Sequence, residues 1–167
     1  QQTGRKPRGK PPQRPTAGPT PKDQVNLTDK DSRIMPTSGV GFEQGYNAQA
    51  GVDTATKLIV LAQVTQQSND KQQIKPALEN LAALPKELGT VSALIADSGY
   101  FSEANINACE EQGITPYIAV DREPHNPSPW DRFREPPAVP ADADVVSRMR
   151  HRLKTAVGKV TYALRKV

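Results

Sequence analysis

The sequence predicts a mixed α/β fold in which a sheet is flanked by helices. Short aliphatic runs typical of strands alternate with segments whose apolar residues repeat every three or four positions, as in amphipathic helices. These segments follow the order of a hairpin and then helix, strand, helix, strand. That order indicates a sheet with both antiparallel and parallel pairs.

The 167 residues suffice for about one domain, and the composition excludes several classes of protein. A single Cys cannot form an internal disulfide, which disfavours a secreted disulfide scaffold and favours the cytosol. No stretch approaches the roughly 18 consecutive apolar residues of a membrane span, and the N-terminus lacks the apolar segment of a signal peptide. We therefore expect a soluble protein with no membrane partner.

The net charge of +4 divides unevenly along the chain. Residues 1–22 carry six basic residues and no acidic one, and residues 148–167 carry seven basic residues and again no acidic one. An acidic body therefore lies between two basic flanks. Residues 1–22 also contain six prolines and almost nothing apolar, so we expect a disordered basic linker there and a folded domain over 23–167. Nonspecific contact with phosphates is the alternative to an inert linker.

The first predicted pair of strands covers residues 46–52 and 57–64, joined by a turn at 53–56. The second strand is nearly continuous in aliphatic residues, which is typical of a strand covered on both faces. From 70 to 84 the apolar residues follow helical spacing, and Asp70 and Gln73 form a possible capping box. Pro76 requires the regular helix to begin a few residues later.

The second half of the fold begins with an aliphatic strand at 91–96, which is followed by a sharp turn. Ser102 caps a predicted helix that ends near Gly113, and another short strand follows at 115–120. Residues 121–141 form a polar, proline-rich loop in which Trp130 and Phe133 suggest contact with the body of the domain.

One amphipathic helix is predicted from Val145 to the end of the chain, with basic residues around its other faces. It carries no capping signal at Val167, and the chain begins with Gln rather than Met. We therefore expect a piece of a longer protein.

Cysteine and histidine chemistry is disfavoured. Two histidines and one cysteine cannot make a Cys/His zinc site, and no Walker, zinc-protease or dinucleotide-binding pattern occurs. Cys109 lies on the apolar side of its helix, which is typical of a core thiol rather than a nucleophile. Carboxylates remain as the candidates for chemistry.

Asp97 is the sharpest candidate, because it directly follows an aliphatic strand and precedes Ser-Gly. That position is the carboxyl edge of the sheet, where open α/β folds bind ligands, although a turn-forming Asp is an equal alternative. A second acid beside it would suit Mg²⁺, and two such ions can cleave a phosphodiester. The candidates are Asp29 and Asp31, at the end of an expected edge strand, and Asp53, which is more typical of a turn.

Four motifs together carry a resemblance to a known family. They cover residues 26–35, 41–50, 69–73 and 96–102. Over about residues 23–167 the sequence resembles bacterial insertion-sequence transposases with a DDE catalytic core. The resemblance implies a ribonuclease H-like mixed sheet flanked by helices, and two strand-end aspartates and a later glutamate that hold Mg²⁺ (or Mn²⁺). It also implies that the enzyme cleaves the ends of a mobile element by hydrolysis and joins the freed 3′ hydroxyl to target DNA. The expected location is the bacterial cytoplasm at the nucleoid, and a homodimer is possible.

The resemblance assigns the site residues individually. Asp97 matches the second acid through its Asp-x-Gly-Tyr turn, and both the first-acid role and a metal-ligand role are assigned to Asp29, with Asp31 and Asp53 as rivals. The third acid follows a Tyr-x-x-Arg pair in related families.

Tyr162 and Arg165 match that Tyr-x-x-Arg pair, and the chain ends before a glutamate is reached. Glu123 and Glu135 lie in the polar loop and are interpreted as surface charges. We therefore expect weak metal binding and no strand cleavage from this chain alone, with activity regained on extension.

DNA is the expected partner of the last helix. The residues assigned to DNA contacts are Arg148, Arg152, Lys159, Tyr162 and Arg165, although a solvated helix face is the alternative. Arg122 and His125 could approach the site but are interpreted as loop surface. Two other functions stay open: a noncatalytic DNA-binding remnant of a transposase, and an unrelated Mg²⁺-dependent phosphohydrolase.

Overall fold

The computed structural model describes residues 18, 26–37, 39, 41–121, 128, 130 and 134–166. The predicted linker at 1–22 lies outside the described residues except for Gly18, as do Arg122, Glu123, His125 and Phe133. The chain divides into two units, residues 1–31 and 32–167. All the strands and helices that follow belong to the second unit.

In the part of the chain that the structure describes, six strands form three two-stranded ladders. The strands are β1 Arg33–Pro36, β2 Phe42–Gly45, β3 Asn47–Val52, β4 Ile59–Thr65, β5 Ala93–Ala96 and β6 Thr115–Ile118. The pairs β1–β2 and β3–β4 are antiparallel, and β5–β6 is parallel. The predicted mixed α/β class, with both kinds of strand pair, is therefore confirmed.

The β3–β4 hairpin confirms the first predicted pair of strands. Its turn is closed by Asp53, whose Oδ2 accepts hydrogen bonds from the backbone N–H of Thr56 at 2.8 Å and from the hydroxyl of the same residue. These bonds hold the pKa of Asp53 below its ordinary value. Its carboxylate is thus occupied in closing the turn.

Helix α1 spans Ile74–Ala82, after a short 3-10 turn at Asp70–Gln72. Pro76 is its third residue, in the first turn, where a missing N–H is tolerated. The predicted capping box is wrong, because the side chain of Asn69 caps the 3-10 turn by accepting from Lys71 N at 3.0 Å. The Asp70 carboxylate instead accepts hydrogen bonds from Asn47 and Gln49 of strand β3.

Helix α2 spans Glu103–Glu111 and begins as predicted, with Ser102 Oγ accepting from Asn105 N at 3.1 Å. Gly113 follows the helix with a φ of 72°, which glycine adopts without strain. The core joins α1 and α2 to the parallel strands. Its buried members include Ile74, Leu78, Cys109 and Ile114, with Leu94, Ala96, Tyr100 and Ala108 packed against them.

The prediction of one continuous helix to the end of the chain is wrong. Two helices are present, α3 at Val145–Lys154 and α4 at Ala156–Ala163. Thr155 separates them with extended backbone, and its Oγ1 caps α4 by accepting from Gly158 N at 3.0 Å. The bend also splits the predicted apolar face, because Met149 is buried whereas Val160 is 69% exposed.

Candidate functional site

Asp97 lies directly after β5, at the carboxyl edge of the parallel pair, as predicted. It caps the 3-10 turn Ser98–Tyr100, and its Oδ1 accepts a hydrogen bond from Gly99 N at 2.8 Å. Within the described part of the chain no donor contacts its Oδ2. The carboxylate is therefore oriented through one oxygen and offers the other to the solvent.

A second carboxylate, that of Asp70, approaches the same turn. A Cβ built on Gly99 would lie 3.0 Å from Asp97 Oδ1 and 3.4 Å from Asp70 Oδ2. The two carboxylates therefore face the same small space beside Gly99. A Cβ at this position would be in tight contact with Asp97 Oδ1 and in ordinary van der Waals contact with Asp70 Oδ2.

Asp70 is held in place by two side-chain amides. Asn47 Nδ2 and Gln49 Nε2 donate to its Oδ1 at 2.7 Å and 3.0 Å. Both amides come from β3, at residues on one face of the strand. Because both amides use Oδ1, the Oδ2 atom that faces Gly99 has no donor among the described residues.

Tyr100 links this arrangement to the Asp97 turn. Its hydroxyl donates to Gln49 Oε1. Burial raises the pKa of Tyr100 above its ordinary value, and the nearby charges of Asp70 and Asp97 raise it further. The proximity of these two carboxylates to one phenol agrees with their convergence beside Gly99.

Sequence reasoning assigned Asp70 to a helix cap and missed its place at this site. The sequence contains a signal that could have found it. Asp70, Asn47 and Gln49 all lie in the motifs that carry the family resemblance, and a turn residue inside such a motif is a candidate for the site as well as for a cap.

Asp29 lies in the first unit and does not end a strand, so that part of the prediction is wrong. Residues 26–32 form bends and turns, and the first strand begins at Arg33. Asn26 Oδ1 accepts from Thr28 N at 2.9 Å and from Asp29 N at 3.3 Å, and Asp29 Oδ1 accepts from Asp31 N at 3.0 Å. Local side-chain bonds to the backbone thus replace a strand ladder. The assignment of Asp29 as the first acid stays a prediction.

The donor set at the Asp97 turn fits a hard divalent cation. Such ions prefer carboxylate oxygens, and Mg²⁺ commonly takes only one or two from the protein. Asp97 presents one oxygen with no donor among the described residues, and the Asp70 carboxylate, held by the amides of Asn47 and Gln49, lies beside the same turn. No group of three or more His, Cys, Asp or Glu side chains in the described ranges is placed to hold a metal ion.

The residues predicted to contact DNA have different surroundings. Arg148 is exposed and lines an open cleft of about 380 Å³ together with His151 and Arg152. The guanidinium of Arg152 already has protein partners, because it donates to Pro116 O at 3.0 Å and to Glu110 Oε1 at 2.8 Å. Arg152 therefore ties α3 to β6 and α2.

The other predicted contacts lie on or after α4. Lys159 Nζ donates to Arg134 O at 3.4 Å, and the guanidinium carbon of Arg165 lies 4.7 Å from the centre of the Tyr162 ring. The Tyr-x-x-Arg residues thus form a cation–π pair. Glu135 Oε1 accepts from Ala156 N at 3.1 Å at the start of α4.

Comparison with known proteins identifies the family. Residues 19–165 match the family described as Transposase DDE domain. No curated protein and no solved structure matches the chain. None of the described helices is long and apolar enough to cross a bilayer. Because the match covers most of its length, the chain belongs to this transposase family, whose substrate is DNA and whose members generally use divalent metal ions.

Proposed function

We propose that this domain supplies Asp97 as a catalytic metal ligand for the Mg²⁺-dependent (or Mn²⁺-dependent) phosphodiester hydrolysis and strand transfer of insertion-sequence transposition. The observation that supports this most directly is the free Oδ2 of Asp97 at the carboxyl edge of a parallel strand pair. The proposed setting is the bacterial cytoplasm at the nucleoid. The proposal includes a homodimer, which sedimentation would test.

The protein's part in this reaction is to present carboxylate oxygen in a fixed direction. A divalent cation, when bound, activates water and stabilises the leaving oxygen of the phosphodiester. Gly99 N–H holds one oxygen of Asp97 and so directs the other outward. Asp29 is proposed as the first acid on the strength of the resemblance alone, and substitution tests it separately.

DNA contact is assigned to the exposed basic side chains of the last two helices. Arg148 is the best placed, because its side chain is exposed and has no partner among the described residues. Lys159 and the Tyr162–Arg165 pair are proposed to contact the backbone and a base or sugar face. Arg152 contributes mainly by holding α3, because its guanidinium donates to Pro116 O and Glu110 Oε1. Such contacts give affinity that falls steeply with salt and depends little on sequence.

Metal binding and DNA nicking test the proposal together. Calorimetry with Mn²⁺ is run on the wild-type chain and on Asp97→Asn, which keeps the shape of the side chain and removes its charge. Asp142→Asn serves as the control, because Asp142 is an exposed turn residue of the same type. We expect Asp97→Asn alone to weaken Mn²⁺ binding, and any nicking of a supercoiled plasmid to require metal and Asp97.

Two outcomes would overturn the assignment. One is metal-dependent nicking that survives Asp97→Asn. The other is Mn²⁺ binding that is absent from the wild type or equal in Asp97→Asn. DNA binding with the expected salt dependence, but without any metal binding, would favour a noncatalytic DNA-binding protein instead.

A further inference from the structure

Gln49 connects strand β3 to two separate turns. It is 7% exposed, and its amide group is fully used. Nε2 donates to Asn47 Oδ1 at 2.7 Å and to Asp70 Oδ1 at 3.0 Å, and Oε1 accepts from the Tyr100 hydroxyl. No buried side-chain nitrogen or oxygen in the described residues lacks a partner. A buried polar network that is fully bonded specifies one arrangement of the chain segments it joins.

A second buried side chain, that of Asn105, also links the same two turns. Asn105, which is 3% exposed, donates from Nδ2 to Lys71 O at 2.8 Å and to Tyr100 O at 2.7 Å. Lys71 belongs to the turn that carries Asp70, and Tyr100 belongs to the turn that Asp97 caps. Neither turn can move without breaking buried hydrogen bonds.

We propose that Asp70 is a positioning residue of the Asp97 site, acting through Gln49 and Tyr100 to fix the turn that orients the Asp97 carboxylate. The chain of contacts is continuous. Asp70 Oδ1 binds Gln49, Gln49 binds the Tyr100 hydroxyl, and Tyr100 N donates to Asp97 O at 3.3 Å. The inference rests on the proposed function for the role of Asp97, but the link between the two turns is testable without metal.

An acceptor at residue 70 is what this role requires. Asn47 and Gln49 both donate to one oxygen of Asp70, so an asparagine side chain retains an acceptor for them, whereas alanine does not. A direct metal ligand would behave differently, because the neutral amide of asparagine is a much poorer partner for a divalent cation. The pair Asp70→Asn and Asp70→Ala therefore separates positioning from ligation.

Two measurements on the full 167-residue chain apply this distinction. The amide signal of Gly99 in a ¹⁵N–¹H spectrum reports the hydrogen bond to Asp97 Oδ1, and calorimetry gives the Mn²⁺ affinity. We expect Asp70→Ala to shift the Gly99 signal and to weaken Mn²⁺ binding about tenfold or more, as is typical when the partner of a metal ligand is lost. Because Asp70 Oδ2 lies near Gly99, Asp70→Asn should shift the Gly99 signal by less than Asp70→Ala does, and should weaken Mn²⁺ binding by less than the roughly tenfold loss expected when the partner of a metal ligand is removed. Asp142→Ala and Asp142→Asn should change neither measurement.

The proposal is overturned if Asp70→Ala leaves the Gly99 signal unchanged, or if Asp70→Asn weakens Mn²⁺ binding as much as Asp97→Asn does. If the wild type binds no Mn²⁺, the proposed function fails, and the Gly99 signal alone still decides the positioning role. If Asp70→Ala does not fold, Tyr100→Phe removes only the hydroxyl that reaches Gln49, with Tyr117→Phe as its control. A Gly99 signal that moves in Tyr100→Phe but not in Tyr117→Phe supports the proposal, and an unmoved signal in both overturns it.

Discussion

Gly158 is the residue at which the structure makes its sharpest prediction about stability. It is the third residue of α4, and it is buried against the last turn of α3. A Cβ at this position would lie 1.8 Å from Arg152 O and 2.8 Å from the carbonyl carbon of the same residue. Contacts between a Cβ and another heavy atom below 3.0 Å are essentially never found. Gly158→Ala therefore forces the backbones of α3 and α4 apart by about 1 Å.

The expected loss in the free energy of unfolding depends on which atoms the added methyl group would overlap. Overpacking typically costs about 1–3 kcal/mol through side-chain and backbone shifts, and we place Gly158→Ala at the upper end because the Arg152 carbonyl belongs to the backbone and cannot rotate away. The added methyl would also lie 3.0 Å from Thr155 Oγ1, which caps α4. We therefore expect a loss of about 3 kcal/mol in the free energy of unfolding. In a domain of this size, that loss lowers Tm by about 6–12 °C.

Thermal unfolding followed by circular dichroism measures this effect. Gly45→Ala is the matched control, because nothing lies within 4 Å of a Cβ at Gly45 and its φ is not in the left-handed region. The control should change Tm by no more than about 2 °C. A Gly158→Ala protein that melts together with wild type would refute the close approach of the two helices, and with it the bend at Thr155.

Three further predictions concern single groups. Thr155→Ala removes the acceptor that caps α4, and should cost about 1 kcal/mol, seen as a fall in Tm of about 2–4 °C. Burial, and to a smaller extent the charge of Glu110, raises the pKa of Cys109 to about 11. At pH 8 its thiol should therefore react with a disulfide reagent only as fast as the protein opens. Reaction at the rate of a free thiol would contradict this. Because the folded pKa of Tyr100 is raised above 10.0, its protonated form contributes stability that is present below pH 10 and is lost as pH rises through the folded value. Alkaline titration of the free energy of unfolding should show this loss, and Tyr100→Phe should reduce it.

Local patterns in the sequence predicted most of the elements around the site. The aliphatic run before Asp97 and the Asp-x-Gly-Tyr turn were sufficient to place that residue at a strand end, and Ser102 was sufficient to begin α2. These signals act between near neighbours in the chain, so the sequence contains all of the information they need.

The elements that sequence reasoning missed depend on contacts between distant residues or on weak local signals. Strands β1 and β2 contain few aliphatic residues, and their antiparallel pairing supplies the order that their composition does not indicate. The break at Thr155 was hidden because the apolar period continues through it. At the break, Gly158 lies close to the Arg152 carbonyl, and periodicity does not reveal a contact of this kind.

Asp70 shows how a local signal can conceal a distant one. The pair Asp70 and Gln73 fits a capping box, yet Asn69 supplies the cap, and Asp70 turns toward two amides more than twenty residues away in sequence. A charged acceptor gains more from two amide donors in a partly buried site than from an exposed cap, because hydrogen bonds to ionised groups are roughly twice as strong as neutral ones. Asn69 can cap the 3-10 turn equally well without a charge. Asn69 therefore caps the turn, and the Asp70 carboxylate is left to accept the hydrogen bonds of Asn47 and Gln49, which join its turn to the turn of Asp97.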